Sequence, residues 1–232
     1  MGKTQIIEKL FLPILTYSFL LPVVISLVYF NKAKPRSVLL IVGGYGVTFF
    51  FLNHYFQYLQ GFLHRSLYYF IYTLLEYVTF ASLIFINIKS KKARFWGICI
   101  SILFTVFLYL FNFVVRFKSF DSIPIATETL VLLVFSIYFF YEQFKDASSL
   151  YIYNHYCFWF TIGILIYLCG SLFIYVFGDQ LTPEQVNQFW FFTYVVEIIK
   201  NLLFTIAIII YSRKSNFKPE KINIPYLDIK EL

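Results

Sequence analysis

Charged residues are scarce in this sequence, since Asp, Glu, Lys and Arg together make up 13% of its 232 residues. An average soluble domain has about a quarter of its residues charged. Hydrophobic residues make up 60% of the chain instead, and aromatic residues alone make up 23%. This composition excludes an ordinary soluble domain and predicts an integral membrane protein in contact with a lipid bilayer.

Long polar connections are missing as well, and only short polar segments separate the apolar stretches. They leave no room for a second globular domain. We therefore expect one helical transmembrane domain over residues 1–211 and a basic cytoplasmic tail over residues 212–232.

Cysteine and histidine are few, with three residues of each. Cys99, Cys157 and Cys169 are odd in number and lie in apolar stretches, which predicts small core residues rather than disulfides or metal ligands. Only His54 lies within an apolar stretch. Seven-helix zinc hydrolases use several histidines, so an intramembrane metal-dependent hydrolase is the least favoured function, and we assign no catalytic residue.

Apolar segments of about 20 residues, each long enough to cross a bilayer, fill most of the chain. They predict an all-α polytopic bundle of seven transmembrane helices near residues 10–30, 38–60, 67–88, 95–117, 123–141, 156–177 and 188–211. Pro13 and Pro22 predict kinks in the first helix. Gly163 and Gly170 share one face of the sixth helix and predict close packing there.

The distribution of Lys and Arg predicts the orientation of this bundle. With seven helices, one side of the membrane holds thirteen of these residues and the other side holds five. The positive-inside rule then places the N-terminus outside and the C-terminus in the cytoplasm. The same rule explains the net charge of +7, so we expect no nucleic-acid partner. The richness in Phe, Tyr, Ile and Lys is consistent with an AT-rich bacterial genome, and we expect a bacterial inner membrane.

The seventh segment carries Glu197, Lys200 and Asn201 near its middle, where ionisable groups are costly. Thr193 and Thr205 continue the same spacing of three or four residues, so these side chains line one helical stripe. We expect that stripe to face protein or water.

Sequence position can be converted into depth with a rise of about 1.5 Å per residue. Glu197 and Glu76 each lie about ten residues from the outer end of their segments, and therefore about 15 Å deep. Glu128 is shallower by about one turn. The outer end of the second segment adds three more polar side chains, Asn53, His54 and Gln57. We expect these groups to line an outward-opening polar cavity.

Three carboxylates and one ammonium would leave two negative charges in that cavity if all were ionised. A proton, a bound cation or a charged His54 could compensate them. The metal and the cofactor are unknown, and His54, Glu76 and Glu128 are the candidate metal ligands. Plainer alternatives are a structural Glu197–Lys200 pair and a Glu128 that reaches water at the membrane surface.

The function we favour is a sensor or accessory subunit that binds a small molecule or cation and acts through a cytoplasmic partner. The tail segment INIPYLDIKEL is the predicted contact with that partner, and a homo-oligomer is possible. The alternative is a proton- or cation-coupled transporter or channel. The few side chains that could line its inner path are Ser136, Tyr138, Tyr141 and Tyr167.

Two segments of this chain carry a resemblance to known proteins: FWFTIGILIYLCGSLF in the sixth helix and EIIKNLLFTIAI in the seventh. In these the chain resembles uncharacterised bacterial seven-helix integral membrane proteins, which implies topology and no activity. It is similar to retinal-binding opsins in architecture alone. Lys200 would then be the Schiff-base lysine and Glu76 its counterion, but TLLEYVTF and EIIKNLLF do not match opsin motifs.

Overall fold

The protein is described from a computed structural model, which covers residues 3–55, 65–115, 122–145, 152–177 and 182–216. These residues are helical and contain no strand. The helices are α1 (Lys3–Ser18), α2 (Leu20–Tyr29), α3 (Ser37–His54), α4 (Arg65–Phe85), α5 (Lys91–Leu110), α6 (Ser122–Lys145), α7 (Tyr156–Phe177) and α8 (Pro183–Asn216). A π-helical turn, Phe111–Val115, follows α5, and a 3₁₀ turn, Ile152–Asn154, precedes α7.

Six helical segments of the described residues are long and apolar enough to cross a membrane. They are Phe11–Tyr29, Ser37–His54, Leu67–Phe85, Lys91–Phe113, Ile123–Lys145 and Phe189–Arg213. The α7 helix is apolar over the shorter stretch Tyr156–Leu172. This is the architecture of a polytopic helical membrane protein, whose apolar outer faces contact lipid.

The first apolar segment is divided at Phe19, between α1 and α2. Pro22 has no N–H to donate to the carbonyl of Ser18, and its ring crowds that carbonyl, so the regular helix stops there. Pro13 lies inside α1 and does not interrupt it. Of the two predicted kinks, the structure therefore shows a break only in front of Pro22.

Helix α8 begins directly after a capping residue, Thr182. Thr182 accepts a hydrogen bond at Oγ1 from the backbone N–H of Gln185, whose side-chain oxygen accepts one from the backbone N–H of Thr182. This reciprocal capping satisfies N–H groups that have no partner within the helix. The helix packs most closely on α7 and also on α1 and α2.

The cysteines are all free thiols, but they are not all in the core. Cys157 is buried, Cys99 is half-buried and Cys169 is exposed. The prediction of small core residues is therefore right for Cys157 and wrong for Cys169. An apolar span explains a thiol equally well on its lipid-facing side, because neither environment requires hydrogen bonding from it.

Candidate functional site

The polar stripe of α8 is buried inside the bundle. Glu197 is 5% exposed, and Lys200 and Asn201 are 0% exposed. They lie about midway along the membrane-spanning part of the helix, Phe189–Arg213. Because water does not reach them, protein groups must satisfy their charges and hydrogen bonds.

The Lys200 ammonium joins three helices. It donates a 2.6 Å hydrogen bond to the hydroxyl of Tyr45 on α3 and a 3.3 Å bond to Oε1 of Glu197 on its own helix. It also forms a 3.9 Å ion pair with Oε1 of Glu76 on α4. The Glu197–Lys200 pair is thus present, but it is one part of a larger network.

Aromatic rings surround the rest of the ammonium. Its Nζ atom lies 3.9 Å from the ring centroid of Tyr167, 5.2 Å from that of Tyr45 and 5.3 Å from that of Phe80. A cation within about 6 Å of an aromatic face is attracted by the ring quadrupole, more strongly where water is excluded. The rings therefore replace part of the hydration that Lys200 loses on burial.

Two glycines explain how Tyr167 reaches this position. Gly163, Tyr167 and Gly170 follow spacings of four and three residues, so they share one face of α7. A Cβ atom on Gly170 would lie 2.6 Å from Cγ1 of Val196 on α8. The absence of side chains on both sides of Tyr167 lets α8 approach closely and places the tyrosine ring against Lys200. The predicted close packing is confirmed.

Two carboxylates face α8 from other helices. Glu76 accepts a 3.3 Å hydrogen bond at Oε2 from the hydroxyl of Tyr167. Glu128 of α6 is 3% exposed and lies within electrostatic reach of Glu76 and Lys200. Within the described part of the chain, the Oε1 atoms of Glu76 and Glu128 have no hydrogen-bond partner.

The charges of this group do not balance. Glu76, Glu128 and Glu197 face Lys200 alone among the described residues, so the group carries two excess negative charges if all four ionise. Each charge held at the middle of a membrane helix costs about 2.5–3.5 kcal/mol on insertion scales. We call these four residues the charge cluster. Because Glu128 is buried, the alternative in which it reaches water is wrong for this structure.

Asn201 connects the charge cluster to the broken first span. Its side-chain N–H donates a 2.7 Å hydrogen bond to Oγ of Ser18, which donates in turn to the carbonyl of Leu15. Beside this contact, a Cβ atom on Gly46 of α3 would lie 2.6 Å from the carbonyl oxygen of Phe19. Only a glycine lets α3 approach the break this closely, which brings Tyr45 within reach of Lys200.

Two described residues that were predicted for the site, Asn53 and His54, do not join the charge cluster. Asn53 donates its side-chain amide to the carbonyl of Phe49 on its own helix, and His54 is exposed and stacks on Phe50. His54 lies nine residues beyond Tyr45, a rise of about 13 Å along the helix. Gln57 lies outside the described residues.

The candidate metal ligands are not brought together. Within the ranges that the structure describes, no three His, Cys, Asp or Glu side chains are placed to hold a metal ion. Glu76 and Glu128 lie near each other, but His54 is at the far end of α3. The structure therefore offers no combined His54, Glu76 and Glu128 site.

Sequence reasoning missed Tyr45 as the hydrogen-bond acceptor of Lys200 and considered Tyr167 only as a lining residue of a transport path. With 20 tyrosines in the chain, composition could not single out either of them. One signal was present, because the Gly163–Gly170 spacing marks the face of α7 that touches its neighbour, and Tyr167 is the polar side chain on that face.

The fold and this site define a class: a polytopic helical membrane protein with ionisable side chains buried between its helices. Comparisons with protein-family models, curated proteins and solved structures found no match to the chain. The resemblance of the sixth and seventh segments to bacterial seven-helix proteins stays a prediction.

Proposed function

We propose that this protein is a seven-span sensor or accessory subunit of a bacterial inner membrane, with its N-terminus outside, and that the charge cluster binds a cation or a small cationic molecule. One observation carries the proposal: three carboxylates and a single lysine are buried together among the described residues. Buried ionisable groups in membrane spans are rare and mark ligand or ion sites.

The position of Lys200 connects binding to helix α8. A cation bound at the carboxylates competes with the ammonium for Glu76, whose contact with Lys200 is the longest of its polar contacts, at 3.9 Å. Loss of that contact changes the packing of α8 against α3 and α4. Because α8 continues past the span to Asn216, its movement reaches the cytoplasmic tail, residues 212–232, where a partner protein would detect it.

The charge cluster is closed to solvent in this structure, since its four residues are at most 6% exposed. Binding from outside therefore requires an open arrangement of the bundle. The ligand stabilises the open arrangement by the difference between its binding free energies for the open and closed arrangements. The closed structure is then the unliganded or protonated state of the protein.

Hydrogen–deuterium exchange of the protein in lipid nanodiscs tests this proposal. Exchange at the cytoplasmic end of α8 is measured in Na⁺, K⁺, Mg²⁺, Ca²⁺ and choline chlorides and at several pH values. We expect at least one of these changes to alter exchange in the wild type and not in Glu76→Gln. The control is Glu142→Gln, which makes the same change outside the charge cluster. Glu142 accepts hydrogen bonds from the backbone N–H groups of Lys89 and Ser90, just before α5. Unchanged exchange under every condition would show a static structural network.

Proton- or cation-coupled transport is the second candidate, and one observation favours it. Ser136 of α6 is fully buried, and its hydroxyl has no hydrogen-bond partner within the described ranges. It lies two turns beyond Glu128 toward the proposed cytoplasmic side, and Gln143 is buried two turns further on. These groups offer polar steps along an otherwise apolar inner half.

Ion flux into proteoliposomes tests transport. The wild type is expected to dissipate an imposed proton or cation gradient faster than empty liposomes, and Ser136→Ala is expected to slow that flux. No flux above empty liposomes under any gradient would reject transport and leave the sensor proposal standing. No contact among the described residues favours the metal-dependent hydrolase.

A further inference from the structure

We infer that the ion held by the charge cluster is a proton, carried by the pair formed by Glu76 and Glu128. The inference rests on the proposed function and names its ligand. It follows from how the single ammonium is used, from two carboxylate oxygens that lack a donor, and from the shortage of other ligands for a metal ion.

The closest contacts of the Lys200 ammonium are with groups other than Glu128. Its shortest polar contacts are with Tyr45 at 2.6 Å and Glu197 at 3.3 Å, and the Tyr167 ring centroid lies 3.9 Å from the Nζ atom. Glu197 and Lys200 therefore form a nearly neutral pair. Glu128 has no ion pair within 4 Å of its side chain among the described residues.

The second observation concerns hydrogen bonding and does not depend on the charge of Lys200. The Oε1 atoms of Glu76 and Glu128 are buried and lack hydrogen-bond donors among the described residues. An ionised carboxylate only accepts hydrogen bonds, whereas a protonated carboxyl group also donates one. A proton on the pair therefore supplies a donor to the site and lowers its negative charge by one.

The groups that face Glu128 favour a proton over a metal ion. The charged and titratable groups in electrostatic contact with it come from three helices: Tyr45 of α3, Glu76 and Tyr77 of α4, and Lys200 of α8. From α7, Tyr167 is bonded to Glu76. The Tyr77 hydroxyl donates to Ser101, and the Tyr45 oxygen accepts from Lys200. Ca²⁺ takes about six to eight oxygen ligands and Mg²⁺ requires an octahedron, and the nearby ammonium repels either ion.

Infrared spectroscopy detects the proton directly. The protein is purified in dodecyl maltoside, which has no carbonyl group, and the C=O band of a protonated carboxyl group is identified by its shift in D₂O. We expect this band in the wild type near neutral pH. We expect Glu128→Gln to remove the intensity of one carboxyl group, Glu76→Gln to shift or remove the band, and Glu142→Gln to leave it unchanged.

Isotope labelling keeps the test valid if a variant fails to fold. Glutamate labelled with ¹³C at the carboxyl carbon must shift the band in the wild type itself. The absence of a protonated-glutamate band, or a band kept in both Glu128→Gln and Glu76→Gln, would overturn the inference. So would a band that disappears when NaCl replaces choline chloride at constant pH, because Na⁺ would then occupy the pair. That last result would still agree with cation binding, so it separates this inference from the proposed function.

Discussion

The two sides of the charge cluster differ in how their carboxylates are neutralised. On the α8 side, Glu197 lies 3.3 Å from the Lys200 ammonium, which Tyr45 and the ring of Tyr167 also hold. On the α6 side, Glu128 is equally buried but has no cation within ion-pair distance among the described residues. Glu76 forms a 3.9 Å ion pair with Lys200 and also lies within electrostatic reach of Glu128.

This difference separates a structural role from a binding role. A buried pair with matched charges can persist unchanged, because each partner compensates the other. A buried carboxylate without a cation needs a proton or an ion from outside the chain, so its occupancy depends on solution conditions. Under the proposed function, the α6 side is where the protein responds to its surroundings.

The largest effect is expected from removal of the single ammonium. Lys200→Met leaves three buried carboxylates without a cation, and breaking a buried pair in this way costs about 3–5 kcal/mol of unfolding free energy. Unfolding of the purified protein by sodium dodecyl sulfate, followed by circular dichroism, measures the change. The matched control is Lys92→Met, an exposed position where we expect a change of less than about 0.5 kcal/mol.

The deficit of Lys200→Met should shrink as the pH falls. Its folded state must bind protons at the buried carboxylates, whereas its unfolded state binds fewer, so the free energy of unfolding rises toward acid. A deficit that stays constant between pH 8 and pH 5, values chosen to span about three decades of proton activity, would contradict the electrostatic account.

The same substitution on each side of the charge cluster tests whether Glu197 and Glu128 have different roles. Glu197→Gln removes the carboxylate nearest to Lys200, and we expect a loss of about 1.5–3 kcal/mol, the range for hydrogen bonds to charged groups. If Glu128 carries the inferred proton, Glu128→Gln replaces a neutral carboxyl group by a neutral amide of similar shape, so we expect a loss of less than about 1 kcal/mol. Equal losses, or a larger loss at Glu128, would remove the distinction between the two sides.

The α8 side can also be disturbed without changing a charge. Gly170→Ala places a methyl group 2.6 Å from Cγ1 of Val196, the residue before Glu197, and a branched valine has little freedom to move away. We expect a loss of about 1–2 kcal/mol from overpacking. Gly44→Ala is the control, because nothing lies within 4 Å of the added atom. If both alanine variants are equally stable, the close approach of α7 and α8 is not what holds Tyr167 in place.

The smallest effect is expected at the edge of the network. Ser18→Ala removes the hydroxyl that accepts the 2.7 Å hydrogen bond from Asn201. Hydrogen bonds between membrane helices contribute about 0.6 kcal/mol on average, and we expect a loss of that order. The same unfolding assay measures this loss. The control is Ser101→Ala, which removes a hydrogen bond between α4 and α5 outside the charge cluster. If Ser18→Ala lowers the free energy of unfolding more than Glu197→Gln does, the contact at the break between α1 and α2 contributes more to stability than the Glu197–Lys200 pair.

Much of the fold follows from the sequence because long apolar runs leave a membrane chain few alternatives to helices. The segment predicted over residues 156–177 is helix α7, Tyr156–Phe177. The third predicted segment extends beyond its helix, which ends at Phe85, and residues 56–60 of the second lie outside the described residues. Hydropathy identifies apolar residues but does not mark where a helix ends.

The charge cluster was predictable in part, because depth follows from counting residues and polar side chains in a span turn inward. Counting placed Glu76 and Glu197 at the same depth, and the structure joins both to Lys200. Counting does not give the direction in which a side chain points. His54 was therefore grouped with the carboxylates although it is exposed and stacks on Phe50.

A high-resolution structure of the protein in lipid nanodiscs, prepared without added metal salts, tests the claim that Glu128 is buried without a cationic partner. We predict Lys200 between Glu76 and Glu197, and Glu128 buried without a basic side chain beside it, its carboxyl group bonded to Glu76 or to a small bound species. An arginine or lysine paired with Glu128, or a Glu128 that points into the aqueous phase, would contradict the claim. The charge cluster would then be balanced by the chain itself and would need no ion from outside.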